Sequence, residues 1–116
     1  MLHSKNANIT TTDLTTIFEI PQGFVGYLSY VYLKNKGSAL NNCTLYIENT
    51  SDSNSIHLLS SQDIDPDQSV EFHEGVFVMY ENDTVKCQTT SAGDVDVSCT
   101  FDIIEATAVL ANFNRL

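Results

Sequence analysis

Short runs in which apolar and polar residues alternate recur along the chain, and clusters of turn-forming residues separate them. Residues 43–48 (CTLYIE) alternate strictly, and residues 95–105 repeat the pattern. A period of two places successive side chains on opposite faces of a β-strand. The turn clusters divide the chain into about eight such runs, roughly 8–14 residues apart. We therefore expect an all-β fold, an antiparallel β-sandwich that is jelly-roll-like with about eight strands.

The two ends of the chain lack this alternation. Residues 1–13 are polar with little periodicity, and residues 106–116 (ATAVLANFNRL) are apolar after the strand pattern has ended. We predict an N-terminal arm at 1–13, a β-sandwich domain at 14–105 and a C-terminal apolar arm at 106–116. A docking arm would gain roughly 1.5–3 kcal/mol for each apolar side chain that it buries. The predicted interface residues are Val109, Leu110, Phe113 and Leu116.

The charge balance is strongly acidic, with fifteen acidic residues against five basic ones and a net charge of −10. Nucleic-acid binding needs clustered cations that neutralise phosphates, and the basic residues here are scattered, so we expect no nucleic-acid partner. No apolar run approaches the roughly 20 residues of a membrane span, so we expect no membrane association. The first ten residues carry no apolar block of the kind found in secretory leaders, which favours synthesis in the cytoplasm.

Three cysteines, Cys43, Cys87 and Cys99, leave one unpaired in any intramolecular scheme. The favoured interpretation is three small buried hydrophobic residues. The alternative is a bridge between Cys87 and Cys99 across a hairpin, whose turn the cluster at 91–94 (SAGD) predicts.

One acidic segment has the spacing of a calcium loop. From Asp63 to Glu74, oxygen-bearing side chains fall at positions 1, 3, 5, 7, 9 and 12, as in an EF-hand. Gln68 occupies the place of the turn glycine, and both flanks predict strands, so we interpret the segment as a solvated acidic loop. Asp63, Asp65 and Asp67 are the candidate metal ligands in this segment.

Catalytic chemistry finds little support in the residue pattern. The candidates for a general base are His3, His57 and His73, and no G-x-S-x-G elbow or phosphate-binding glycine loop accompanies them. We predict that the protein is not an enzyme, with no catalytic residues and no cofactor.

Three tyrosines, Tyr27, Tyr30 and Tyr32, lie in one aromatic run. They are expected mainly as core or cross-strand residues, with a protein interface and a sugar-stacking surface as alternatives.

Short motifs over residues 10–105 carry a resemblance to a known family. They are Thr15-Thr16, Ile20-Pro21-x-Gly23, residues 31–35 (VYLKN), 43–45 (CTL), Asp67-x-Ser69-Val70, 82–85 (NDTV) and 90–97 (TSAGDVDV). In strand-and-turn order the chain resembles small accessory virion structural proteins of tailed bacteriophages, of the marine and cyanophage type. The resemblance implies a β-sandwich that coats or joins parts of the particle at the head, neck or tail. The chain departs from this pattern in its apolar extension after Glu105.

These observations predict a non-enzymatic component of a tailed-phage virion, made in the host cytoplasm. It would bind neighbouring capsid, neck or tail subunits as a decoration, cement or connector protein, and form a homo-oligomer. The alternative function is a carbohydrate- or receptor-binding β-sandwich module, with Ca²⁺ at the Asp63–Asp67 loop.

Overall fold

A computed structural model describes residues 2–50, 53–73 and 75–107 of the chain. The strands in these ranges are β1 (Leu2–Ile9), β2 (Thr15–Glu19), β3 (Phe24–Asn35), β4 (Asn41–Asn49), β5 (Asn54–Ile64), β6 (Ser69–Phe72), β7 (Phe77–Met79), β8 (Thr84–Thr89) and β9 (Val95–Glu105). Their extents largely follow the alternating runs and turn clusters of the sequence, because period-two patterning leaves each strand one face to bury.

The strands form two antiparallel sheets. The larger sheet has the order β1-β9-β3-β6, and β7 pairs with the same edge of β3 as β6 does. The smaller sheet has the order β2-β8-β4-β5. Counting β6 and β7 as two segments of one edge strand gives eight strands in two four-stranded sheets, the arrangement of a jelly roll. The predicted all-β sandwich is therefore confirmed.

Strand β3 is central in the larger sheet. It pairs with β9 from Phe24 opposite Glu105 to Asn35 opposite Val95, with a bulge at Ser29. The bulge reverses the alternation, so that Leu28 and Val31 both point into the core. The aromatic and β-branched run at residues 24–33 (FVGYLSYVYL) predicts a central strand covered on both faces, but its tyrosines lie on the half-exposed outer face of the sheet.

The inner faces of both sheets supply one hydrophobic core. Fully buried side chains from the larger sheet, such as Leu33 and Val97, pack against Leu45, Ile47 and others from the smaller one. Every inward residue of β4 from Cys43 to Ile47 is buried, as its strict alternation predicts.

At one end of the sandwich, Asp83 forms hydrogen bonds with three of the loops that connect strands. It is 1% exposed, and its carboxylate accepts hydrogen bonds from the backbone N–H groups of Thr50 (3.0 Å) and Tyr80 (2.8 Å). Its backbone carbonyl accepts a further bond from the N–H of Ile20. One buried carboxylate thus satisfies a backbone group of the turn between β4 and β5, within the smaller sheet, and one of the connection from β7 to β8, which crosses between the sheets.

Two buried asparagines, Asn35 and Asn41, form hydrogen bonds with the connections at the opposite end of the sandwich. The amide nitrogen of Asn35 donates to the carbonyls of Ala39 and Ile64, and its amide oxygen accepts from the N–H of Gly37. Asn41 donates to the carbonyl of Ser91 and accepts from the N–H of the same residue. These contacts fix the connections that lead from one sheet to the other.

The N-terminal segment differs from the prediction of an arm. Residues 2–9 form β1, in register with β9 from Leu2 opposite Asp102 to Ile9 opposite Val95. Ala7 and Ile9 are the apolar side chains that this strand packs on the core, so its sequence pattern is weak. The strand is specified by a partner at the other end of the chain, which local periodicity cannot reveal.

The connection at 91–94 is not a hairpin turn. Strand β8 belongs to the smaller sheet and β9 to the larger one, so the segment is a corner between sheets. The sequence around residues 56–67 likewise predicts a short strand from Ile56 to Leu59 and then a loop through Asp67, but the edge strand β5 continues to Ile64. Polar residues suit this edge because it faces solvent.

All three cysteines are free and buried, as the favoured interpretation predicted. Cys87 and Cys99 lie in different sheets. Packed sheets are about 10 Å apart, whereas a disulfide needs Cα atoms within about 7 Å, so a bridge would require the sheets to move. Burial raises the pKa of Cys43 to about 11 and the pKa values of Cys87 and Cys99 to about 12.

We predict that Asp83→Ala lowers the free energy of unfolding by about 2–4 kcal/mol, because two buried N–H groups lose their acceptor. Asp83→Asn keeps one acceptor oxygen and should lose less. Asp65→Ala, at an exposed loop position, is the matched control and should stay within about 0.5 kcal/mol of the parent. Urea denaturation measures all three, and equal stability of Asp83→Ala and the control would contradict the role of Asp83.

The raised pKa values of the three thiols predict that the folded protein loses stability at alkaline pH. Above pH 9 an unfolded thiol releases its proton while the buried thiol retains it, so each thiol lowers the free energy of unfolding by about 1.4 kcal/mol per pH unit until its folded pKa is reached. Cys43→Ala should reduce this slope by one thiol's share between about pH 9.5 and 10.5. Denaturation at stepped pH checks the difference, and an unchanged slope would contradict it.

Candidate assembly surfaces

The sandwich has two open sides, each formed by one edge strand from each sheet. Strands β1 and β2 border one side, and β5 borders the other with β6 and β7. Edge strands present backbone N–H and C=O groups that a strand of another chain can pair with. These sides are therefore the places where the sandwich is best able to contact another molecule.

A strip of exposed apolar residues follows β7. Val76, Val78 and Tyr80 are 56%, 46% and 58% exposed, while the intervening Phe77 and Met79 pack on the core. Alternation places the three exposed side chains on one side of the strand. We name Val76, Val78 and Tyr80 the β7 strip. The sequence feature that indicates this strip is the uninterrupted apolar run at residues 76–80 (VFVMY). In a strand only one face of such a run packs on the core, so the other face exposes apolar side chains.

The three predicted tyrosines lie beside this strip on the outer face of the larger sheet. Tyr27 is opposite Val78 on one side and Asp102 on the other. Tyr30 follows the bulge of β3, and partial burial and the nearby Glu71 raise its pKa. All three are half-buried and outside the core, so they are cross-strand and not core residues. A protein interface and a sugar-stacking surface both stay predictions for them.

A cleft of about 300 Å³ opens between β1 and β2. Its floor is a pair of stacked rings, Phe18 and Phe101, whose centroids are 4.1 Å apart. The ring of His3 also stacks with Phe101, with centroids 5.6 Å apart. The remaining lining residues are Ser4, Lys5, Ile17, Glu19, Pro21 and Ile103. We name this feature the β1–β2 cleft; its floor is apolar and its rim carries one charge of each sign.

A shallower depression of about 420 Å³ lies on the outer face of the larger sheet. It is lined by Asn6, Ala7, Asn8, Tyr32, Asp96, Val97 and Ser98. Asn8 donates to Asp96 at 2.8 Å, and Lys36 lies 3.1 Å from the same carboxylate. These two contacts hold the pKa of Asp96 below its usual value, although partial burial opposes them. The depression offers amide, hydroxyl and carboxylate groups around one tyrosine ring.

The predicted calcium ligands are not assembled into a site. Asp63 lies in β5 and accepts a hydrogen bond from Asn42 at 2.9 Å, whereas Asp65 and Asp67 lie in the turn that follows. In the part of the chain that the structure describes, no group of three His, Cys, Asp or Glu side chains is placed to hold a metal ion. The segment is therefore not a continuous EF-hand loop, because Asp63, at its first position, belongs to strand β5.

Two of the three histidines are exposed on the surface, whereas all three thiols are buried. His57 is exposed and stacks on Tyr46 at 5.1 Å, and His73 is exposed after β6. The three cysteines lie inside the core, where burial raises their pKa values, and such thiols are poor nucleophiles.

The predicted interface residues Val109, Leu110, Phe113 and Leu116 lie outside the described residues. The structure does show where their segment begins. The N–H of Ala106 donates to the carbonyl of Gly23 at 2.8 Å, close to Pro21 of the β1–β2 cleft. Among residues 2–50, 53–73 and 75–107, no helix has the length and hydropathy needed to cross a bilayer.

Solved structures share this fold at low sequence identity. A chain of the acidic stable capsid of Helicobacter pylori bacteriophage KHP30 is 11% identical, with 90% of this chain and 92% of that chain covered and a TM-score of 0.57. The Drosophila NLP core, described for pentamer formation and histone binding, is 13% identical over 89% and 99% of the two chains, at a TM-score of 0.53. A chain of Bacillus endospore appendages, disulfide-linked pili, is 15% identical over 90% and 88%, at a TM-score of 0.50. No family model matches the sequence, and no curated protein matches it.

We predict that millimolar Ca²⁺ leaves the melting temperature within about 1 °C of its value in chelator, since a ligand that binds only the folded state must raise it. Differential scanning fluorimetry with Mg²⁺ as the matched control tests this. A calcium-specific rise that Asp63→Asn abolishes would show that the acidic segment binds the ion.

Proposed function

We propose that the protein is a non-enzymatic structural subunit of a tailed-phage virion, which binds neighbouring capsid, neck or tail subunits as a decoration, cement or connector protein. It is made in the host cytoplasm and acts in the assembled particle as a homo-oligomer. The sandwich fold, which it shares with a phage capsid chain, and the resemblance of its motifs to accessory virion proteins both support this assignment.

The observation that carries the proposal is the β7 strip. Three apolar side chains, each about half exposed, line an edge strand in a chain with a net charge of −10. Isolated exposed apolar residues are ordinary, but an alternating set on a sheet edge forms a continuous patch of the kind that subunit contacts cover. Tyr27 extends this patch onto the sheet face.

The C-terminal segment provides a second contact. Its four apolar side chains, Val109, Leu110, Phe113 and Leu116, are the proposed interface residues that follow the described sandwich. Small contacts of this size become firm attachment when symmetry repeats them around a ring or a shell. Subunits of a particle meet this condition.

The depression around Tyr32 favours a second function, which is carbohydrate or receptor binding. A tyrosine ring with amide and hydroxyl groups around it is able to stack on and hydrogen-bond a sugar. This function needs no calcium. A glycan array separates the two proposals, because binding that Tyr32→Ala abolishes would favour the second.

Val78→Lys tests the subunit proposal. A charge in the β7 strip should dissociate the oligomer, raising its dissociation constant at least about tenfold, while the fold tolerates a lysine on an edge strand. Leu40→Lys is the matched control, since Leu40 is 49% exposed in a loop at the other end of the molecule. Native mass spectrometry measures both variants, and equal dissociation constants for the two would contradict the role of the strip.

The virion assignment is tested by a proteomic census of purified particles. We expect the chain in a fixed ratio to the major capsid subunit, at many copies per particle. Its absence from particles made in cells that express it would overturn the assignment.

A further inference from the structure

We propose that the depression around Tyr32 binds an uncharged sugar ring and does not accept an acidic one. The inference rests on the second proposed function, since it names the class of ligand and the residues that contact it. The depression lies on the outer face of the larger sheet, which is separate from the β7 edge and from the β1–β2 cleft.

The shape of the depression follows from the register of three strands. On the outer face, the small Ser98 of β9 lies between Asn6 of β1 and Tyr32 of β3. A short side chain between two longer ones leaves a hollow, with Ser98 as its floor and the other two as its walls. Its volume of about 420 Å³ is within the range of ligand pockets.

One rim of the hollow is fixed by hydrogen bonds and ion pairs. The amide nitrogen of Asn8 donates to Asp94 at 2.6 Å and to Asp96 at 2.8 Å. Lys36 lies 3.7 Å from the first carboxylate and 3.1 Å from the second. Both N–H groups of Asn8 are thus used, so its amide oxygen is the hydrogen-bonding group that it offers to a ligand. A group that is oriented before binding loses less entropy when the ligand arrives.

The groups around the hollow match the chemistry of a sugar. A pyranose ring has an apolar C–H face and a perimeter of hydroxyl groups. The half-buried ring of Tyr32 is a stacking surface for the C–H face. The amide oxygen of Asn8 and the carboxylate of Asp96 accept hydrogen bonds from the hydroxyl groups, and the hydroxyl of Ser98 both donates and accepts.

The surroundings of the hollow disfavour peptide and acidic ligands. Strand β9 pairs with β1 on one side and β3 on the other along this stretch, so the sheet already uses its backbone groups and an extended peptide gains no strand pairing there. An acidic ligand meets two carboxylates and one ammonium at the rim, in a chain with a net charge of −10. These conditions favour a neutral ligand that side chains recognise.

Repetition of the site in an oligomer strengthens binding to a polymer. An open depression covers only part of a sugar ring, so a single copy binds it weakly. A homo-oligomer engages several sugars of one polymer at once, which raises the overall affinity without any new contact. A polysaccharide should therefore bind more tightly than the free glycoside of the same sugar.

NMR titration of the full chain with methyl glycosides tests the proposal. The probes are methyl glucoside, methyl galactoside and methyl mannoside, each paired with the methyl glycoside of its uronic acid. We expect at least one uncharged probe to shift the backbone amide signals of Ser98 and Tyr32 to saturation. Its uronic acid should bind about two- to fivefold more weakly, because the carboxylates of the rim repel it.

Substitutions locate the site. Tyr32→Ala should raise the dissociation constant of the bound glycoside about tenfold, whereas Tyr32→Phe keeps the stacking ring and should stay within about threefold. Tyr46→Ala is the matched control, since Tyr46 is a half-buried tyrosine of the smaller sheet. Ser98→Val narrows the hollow with a residue that suits a strand, so it should weaken binding even if Tyr32→Ala loosens the fold.

Three results would overturn the proposal. One is the lack of a saturable shift with every uncharged glycoside. Another is equal binding of an uncharged glycoside and its uronic acid. The third is glycoside binding that Tyr32→Ala and Ser98→Val leave unchanged, in which case the second function stands at another surface and only the site fails. The particle census reports on the virion assignment separately from all three.

Discussion

The pairing of β3 with β9 is the interaction on which the rest of the molecule depends. It joins residues 24–35 with residues 95–105, so it brings together distant parts of the chain over eleven matched pairs. Strand β1 attaches to the outer side of β9, and β6 and β7 attach to the outer side of β3. The larger sheet therefore cannot form until this pairing closes the long loop between them, a closure that hydrophobic burial on the inner face must offset.

Crossing between two sheets creates connections whose backbone groups lie near the core. Asp83, Asn35 and Asn41 have buried side chains that hydrogen-bond to N–H and C=O groups of these connections. With the ends of the sandwich fixed in this way, the edges remain as the places where one molecule can contact another. The β7 strip and the β1–β2 cleft lie on opposite edges of the larger sheet, which suits a subunit with a neighbour on each side.

Local patterning was sufficient to predict the fold class and the strands whose burial alternates, such as β4 and β9. It failed where the determining partner is distant. β1 has few apolar residues and is specified by β9, and the SAGD corner has the turn chemistry of a hairpin but joins two sheets. The sequence also does not show that β7 is an edge strand, so the exposure of Val78 could be recognised only in the structure. The C-terminal residues were found by composition alone, and their role as an interface stays a prediction.

The central claim is that this sandwich is a subunit made to contact its own copies. Sedimentation velocity of the unaltered protein over a wide range of concentration tests it most directly. The account predicts one species larger than the monomer, with a fixed number of subunits that does not grow at the highest concentrations. A single monomeric species across the whole range would contradict it.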